Sequence, residues 1–174
     1  DFNEVPEDYL SLYKSLDLGD EWDAIEIHLE GRERPYVINR IAKANNTLLA
    51  DWHFIFKSVD QGKTWENLSK NTGVGISEFL YVSKEHPNQI WTGGWNNILY
   101  PYLAKSEDNG ETWVTLNENV FFNTNANVYA VTVSRKNEKV VLAGFGGGVS
   151  AANVIRKSTD GGETWETVLE GYYI

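Results

Sequence analysis

The stretch Ser158-Thr-Asp160-Gly-Gly162-Glu-Thr164-Trp165 is one of four copies of the pattern Ser-x-Asp-x-Gly-x-Thr-Trp in this chain of 174 residues. Complete copies also begin at Ser58 and Ser106, and a fourth begins at Ser15 but has Glu21 in place of threonine. The first serines are 43, 48 and 52 residues apart (15 to 58, 58 to 106, 106 to 158). A repeat of this length is typical of propeller blades, so the pattern predicts an all-β propeller fold.

Each copy has the chemistry of a tight turn between two strands. Its glycine can adopt a positive φ, and its aspartate can accept hydrogen bonds from backbone N–H groups of the turn. The serine and threonine hydroxyls can bridge the two arms, and the tryptophan can bury a large ring while its indole N–H finds a local partner. We therefore expect a structural role for the following positions: Ser15, Asp17, Gly19, Trp22, Ser58, Asp60, Gly62, Thr64, Trp65, Ser106, Asp108, Gly110, Thr112, Trp113, Ser158, Asp160, Gly162, Thr164 and Trp165.

Alignment on these boxes predicts four antiparallel strands per unit, the strand count of a propeller blade. In the second unit the first strand is predicted at Tyr36-Val-Ile38 and the second at Thr47-Leu-Leu-Ala50. The N-terminal unit has strand sequence on both sides of its box but lacks two strands. The sequence thus predicts one segment over residues 1–174, part of a larger propeller, with a half blade at 1–31 and blades at 32–71, 72–119 and 120–174.

The box pattern resembles the Asp-box (BNR) repeat family, which includes sialidases, xyloglucan-active glycosidases, sortilin-type receptors and a photosystem II assembly factor. The resemblance implies that the boxes lie between the third and fourth strands of each blade, on the face away from any active site. It also implies a structural role for the box residues. Because many members are secreted, we expect an extracellular or periplasmic location.

Composition narrows the partners further. A net charge of −10 with a pI near 4.7 argues against nucleic acid, which is bound by clustered Lys and Arg. The absence of cysteine excludes disulfides and thiolate metal sites, and the sequence has no run of about 18 apolar residues that would predict a membrane span. A calcium site needs about six to eight oxygens, whereas each box offers one carboxylate, so we expect no metal and no cofactor.

Candidate ligand-binding residues lie in the loops predicted opposite the boxes. Trp52, Trp95 and Phe145 align at one position of successive units, where their rings could either pack between blades or form stacking platforms for sugars or peptide side chains. Arg32 and Arg34 could contact an anion. The remaining candidates, from aromatic and amide-rich loops, are His53, Asn96, Tyr100 and Tyr102.

Asp51, beside Trp52 and His53, is a weak catalytic candidate and the most suggestive of the acids predicted on this face, which also include Glu30, Glu33, Glu78 and Glu118. An inverting glycosidase needs two acids about 6.5–9.5 Å apart. Three hypotheses follow: a non-catalytic segment that binds a glycan or protein, a portion of a sialidase-like or xyloglucanase-like hydrolase with catalytic residues partly outside this chain, and a structural subunit completed by further blades. We favour the first.

Overall fold

A computed structural model describes residues 12–25, 38–52, 54–68, 76–95, 101–116, 126–146 and 153–171, and these contain strands but no helix. The strands are β1 Leu12–Lys14, β2 Asp23–Ile25, β3 Arg40–Ala44, β4 Thr47–Trp52, β5 Phe54–Ser58, β6 Glu66–Asn67, β7 Ile76–Val82, β8 Ile90–Trp95, β9 Pro101–Ser106, β10 Val114–Thr115, β11 Asn127–Val133, β12 Val141–Gly146, β13 Asn153–Ser158 and β14 Glu166–Gly171.

The strands form three four-stranded antiparallel sheets and one two-stranded sheet, and in each sheet the strands follow chain order. We call them half-blade A (β1–β2), blade B (β3–β6), blade C (β7–β10) and blade D (β11–β14). The box beginning at Ser15 joins β1 to β2, just as the other boxes join the third strand of a blade to the fourth. Half-blade A therefore corresponds to the outer half of a blade, and the predicted propeller architecture is confirmed.

The first strand of blade B lies later in the chain than its predicted position. It is β3, Arg40–Ala44, whereas Ile38 is outside any strand and residues 36 and 37 are outside the described part. Ala44 pairs with Thr47, so a two-residue turn connects β3 to β4, and Asn45 in that turn has φ 54°. Asn tolerates this left-handed conformation, which closes tight hairpins. The sequence Arg-Ile-Ala-Lys-Ala has weak strand propensity, whereas the aromatic and β-branched residues of Tyr36-Val-Ile38 give the stronger local strand signal.

The core lies between the blades. Blades C and D meet through a cluster that includes Phe79, Trp91 and Leu103 on one side and Val131 and Phe145 on the other. Blades B and C meet through a second cluster, which contains Leu49, Ile55, Ile90, Tyr102 and Ala104. Blade C thus buries apolar side chains on both of its faces. This burial is the main stabilising contribution to the stack of blades.

Candidate binding face

The four boxes share one hydrogen-bonded turn with the aspartate at its centre. In the box of blade B, Ser58 Oγ donates to Asp60 Oδ1 at 2.8 Å and accepts from Gly62 N at 2.8 Å. Thr64 donates twice to Asp60, from N to Oδ1 at 2.9 Å and from Oγ1 to Oδ2 at 2.6 Å. Trp65 Nε1 donates to Gly62 O at 3.0 Å, and Gly62 has φ 89°. The hydroxyls therefore bridge the arms of the turn through the carboxylate.

These hydrogen bonds favour the ionised carboxylate. The Thr64 hydroxyl, followed by the Thr64 backbone N–H, lowers the pKa of Asp60 to about 2. In the first box the Glu21 backbone N–H still donates to Asp17 Oδ1 at 3.0 Å and lowers the Asp17 pKa, but position 21 supplies no hydroxyl. All four box aspartates are engaged within their own turns. They are therefore structural acids.

The opposite end of the blades is where first strands begin and second strands end. Asp51 lies there, at the end of β4, and is fully buried. Its carboxylate accepts from Arg40 Nη1, 3.3 Å from Oδ1 and 3.2 Å from Oδ2, and from Ser77 Oγ, 2.9 Å from Oδ2. Arg40 is the cross-strand neighbour of Asp51 in blade B, whereas Ser77 belongs to blade C. The catalytic candidate is thus part of a blade interface.

The polar network continues into blade C. Ser77 Oγ lies 3.0 Å from Thr92 Oγ1, and the Thr92 hydroxyl is hydrogen-bonded to the buried Tyr102 side chain. Burial raises the pKa of Asp51, although the Ser77 hydrogen bond and the Arg40 charge act in the opposite direction. Burial likewise raises the pKa of Tyr102. The geometry thus makes Asp51 a buried residue that joins blades B and C, and its catalytic role stays a prediction.

Two of the aromatic candidates are also in the core. Tyr102 lies between blades B and C, and Phe145 between blades C and D. The Phe145 ring has the buried Arg156 guanidinium 5.6 Å from its centroid, so the ring face attracts the cation within the blade. Of the two roles expected for the Phe145 ring, the structure supports packing, and the ring of Tyr102, expected as a ligand-binding candidate, is buried as well.

The strand register separates Trp95 from its supposed equivalents. Trp52 pairs with Phe54, and Phe145 pairs with Val154, each four residues before a box serine. Trp95 pairs with Pro101, five residues before Ser106, and Gly94 occupies the position equivalent to Trp52 and Phe145. The expected alignment of three aromatics is therefore wrong by one residue in blade C, because Gly93-Gly94 inserts one more residue before the tryptophan than the aligned sequences suggested.

Several predicted site residues lie where the structure makes no statement. Arg32, Arg34, His53, Asn96 and Tyr100 are outside the described residues, and for Trp52 and Trp95 the description covers the strand backbone alone. Their proposed ligand contacts stay predictions.

The structure adds a residue that sequence reasoning missed. Tyr129 is the extra residue of a β-bulge between Val128 and Ala130, and it is 54% exposed. Its ring and the side chain of Asn153 both lie against Gly146, where an added Cβ would collide with Asn153 Oδ1. A bulge often redirects a side chain. No pattern in the sequence reports this bulge, because alternation alone places Tyr129 as an ordinary strand residue.

A cavity of about 760 Å³ lies between half-blade A and blade B. Its walls include Leu12 and Lys14 of β1 and the side chains of Ile41, Lys43 and Leu48 on blade B. This cavity lies beside the two strands of half-blade A. It is away from the surface formed by Tyr129 and Asn153, which we call the Tyr129 surface. In the described ranges no three Asp, Glu or His side chains form a group that could hold a metal ion, and no helix there is long and apolar enough to span a membrane.

The boxes and the four-stranded blades define the class: this is an Asp-box β-propeller segment. A model of the BNR/Asp-box repeat matches residues 156–167, within the box of blade D. No curated protein matches the chain significantly.

Solved structures with similar folds include two GH74 proteins. The xyloglucanase from Xanthomonas campestris aligns with a TM-score of 0.66 and 16% identity over 92% of this chain and 27% of its own length. The enzyme from Niastella koreensis aligns with a TM-score of 0.68 and 16% identity over 92% of this chain and 26% of its own. YCF48 from Cyanidioschyzon merolae aligns with a TM-score of 0.60 and 16% identity over 89% of this chain and 52% of its own. The chain thus spans about a quarter of the GH74 proteins and half of YCF48, and at this identity the likeness shows the fold alone.

Proposed function

We propose that this chain is a non-catalytic propeller segment that binds a glycan or protein partner through the face opposite the boxes. The observation that carries the proposal is the burial of Asp51 between Arg40 and Ser77. General acid–base catalysis requires a carboxyl within hydrogen-bonding reach of the substrate. The favoured acid lacks that access, and the box aspartates are held in their turns at the other end of the blades.

The Tyr129 surface supports binding on this face. An exposed aromatic ring offers a stacking platform, and the neighbouring Asn153 amide offers donors and an acceptor for hydroxyl or peptide groups. The net charge of −10 favours a neutral or cationic ligand over a polyanion such as nucleic acid. An extracellular or periplasmic location, and completion of the ring by further blades, are part of the same proposal.

Two arrays, one of glycans and one of peptides, test the proposal, followed by titration of the best ligand with Tyr129→Ala. We expect affinity to fall about tenfold, equivalent to about 1.4 kcal/mol. Tyr13→Ala is the matched control, because Tyr13 is similarly exposed at 49% but lies on β1 of half-blade A. Equal affinities for the two variants would contradict the assignment of this face.

The second candidate is a portion of a glycoside hydrolase, and the GH74 structural neighbours favour it. Hydrolysis of xyloglucan and of sialosides by the unaltered chain and by Asp51→Asn tests whether this chain supplies the catalytic acid. We expect no turnover from either protein. Turnover that disappears in Asp51→Asn, with an unchanged urea unfolding curve, would replace our proposal with the hydrolase.

A further inference from the structure

A lysine precedes the serine in all four boxes: Lys14, Lys57, Lys105 and Lys157. The first three reach forward to the box of the next blade. Lys14 Nζ donates to Gln61 O at 3.5 Å, and Lys105 Nζ donates to Gly161 O at 2.9 Å. Lys57 Nζ pairs with the Glu111 carboxylate. At two junctions the group that accepts from the lysine belongs to the third residue after the box serine of the next blade. At the remaining junction it belongs to the fifth residue.

A close apolar contact accompanies each of these three lysines. The third residue after each box tryptophan (Ile25, Leu68 and Leu116) lies against the box glycine of the next blade. A Cβ added to Gly62, Gly110 or Gly162 would stand 3.2, 3.0 and 3.0 Å from Ile25, Leu68 and Leu116, respectively. The glycine is thus needed for close approach as well as for its turn. A junction between blades therefore consists of a lysine and an aliphatic side chain that receive an Asp-box turn.

Blade D presents the same receiving pair without a described box against it. Lys157 stays within its own blade, 3.8 Å from Glu166 Oε1. A register shift makes Val168 an extra residue of β14, so the aliphatic position is Leu169, which pairs with Ile155 as Ile25 pairs with Leu12 and is 60% exposed. Leu142, Ile155 and Val168 of the same blade are also exposed apolar residues. At the three junctions within the chain (A/B, B/C and C/D), the aliphatic side chain packs against the box turn of the next blade, and the lysine contacts the same turn.

Half-blade A presents the complementary turn. Its box has Leu18 at the position of Gln61 and Gly161, and Asp20 at the position of Glu111. Leu18 and Asp20 are exposed, and an added Cβ on Gly19 would meet only Trp22 of the same box among the described residues. An acceptor carbonyl, a carboxylate and an open glycine are the features that would contact Lys157 and Leu169.

We propose that blade D of one molecule docks on the Asp-box turn of half-blade A of a second copy. Lys157 would donate to the Leu18 carbonyl or pair with Asp20, and Leu169 would pack against Gly19, which repeats the three junctions within the chain. Because two different surfaces meet, the contact is heterologous, and it produces either a closed ring of copies or a linear chain. This contact between copies is separate from the Tyr129 surface.

Sedimentation velocity over a concentration series, with the whole chain, tests the contact. We expect concentration-dependent association that Lys157→Glu weakens about fivefold or more, because a repulsive pair replaces an attractive one. Leu169→Asp is expected to abolish association, because it would place a carboxylate without a partner in the apolar contact. Lys136→Glu, an exposed charge reversal in the β11–β12 turn of the same blade, is the matched control and should associate normally.

A charge exchange identifies the partner surface. In the double variant Lys157→Glu, Asp20→Lys, the two reversed charges face each other between copies, so association should return. A monomer at all concentrations would overturn the proposal, and so would equal effects of Lys157→Glu and Lys136→Glu. Failure of the double variant to restore association would exclude half-blade A as the occupant. None of these outcomes alters the Tyr129 titration, so the two proposals can fail separately.

Discussion

Ser77 Oγ donates a hydrogen bond to Asp51 Oδ2 at 2.9 Å across the boundary between blades B and C. The two residues are 26 positions apart in the sequence. The positions in blades C and D that correspond to Asp51 are Gly93 and Gly144, since each of the three pairs with the residue three positions before a box serine. The B/C junction thus contains a buried carboxylate network that the C/D junction lacks.

Removing this carboxylate should destabilise the protein. Asp51→Ala leaves the buried Ser77 hydroxyl without one of its partners, and we expect a loss of about 1–3 kcal/mol in the free energy of unfolding. Urea unfolding followed by tryptophan fluorescence measures it. Asp23→Ala, at an exposed strand position, should change stability by less than about 0.5 kcal/mol. Similar losses for both variants would show that the network contributes little.

Acid should weaken the fold through the box aspartates. The Asp60 pKa falls from its ordinary 3.8 to about 2 in the folded chain, so its contribution is complete above about pH 4 and is lost as the pH falls to about 2. Asp51 acts with the opposite sign, because its pKa is raised. Thr64→Val should therefore be less stable than the unaltered chain at pH 7, with the difference vanishing near pH 2. Thr115→Val, outside the boxes, should show no such convergence in urea midpoints measured from pH 7 to 2.

Restoring the missing hydroxyl in the first box should stabilise it. Glu21→Thr supplies a donor for Asp17 Oδ2, the bond that Thr64 makes to Asp60 at 2.6 Å. We expect a higher urea midpoint and a further fall in the Asp17 pKa, measured by NMR titration. Glu21→Val removes the same charge and has a similar shape but no hydroxyl. If both variants behave alike, the effect comes from the loss of the glutamate.

Neighbouring glycines in the last box separate backbone strain from steric contact. Gly161 and Gly162 both have positive φ, at 81° and 98°. An alanine Cβ at position 161 would lie 3.7 Å from Lys105 Nζ, whereas at position 162 it would lie 2.9 Å from Trp91. We expect Gly161→Ala to cost about 1–2 kcal/mol from backbone strain. Gly162→Ala should cost about 1–3 kcal/mol more because the fully buried Trp91 must move. Equal costs in thermal unfolding would remove the steric explanation.

Much of the fold could be read from the boxes, because their spacing counts blades and each box marks the turn between two strands. The predicted first strand of blade B differs from the observed one because the local sequence signal for a strand is weak there. Arg40–Ala44 has little strand propensity and is a strand because a tight turn at Asn45 lays it against β4. The lysine before each box serine was visible in the sequence as well, but its role required knowing which blade follows which.

The binding face was much harder to predict. Periodicity shows which residues alternate, yet one additional residue shifts the register of everything beyond it, as the backbone pairing of Trp95 and the bulge at Tyr129 show. Asp51 is followed in the sequence by two residues with aromatic rings, a local composition that is typical of a catalytic site. Its burial depends on Ser77, which comes from another blade, and no local pattern reports such a pairing.

The sequence by itself determined the repeat, the all-β blades and the turn chemistry of the boxes, because these depend on contacts between residues a few positions apart. Tertiary structure alone decided that Asp51, Tyr102 and Phe145 are interior and that Tyr129 is exposed. It also decided that the lysines join successive blades. Burial and charge pairing are properties of the stacked sheets, and they arise from residues brought together across blade boundaries, far beyond the range of any local pattern.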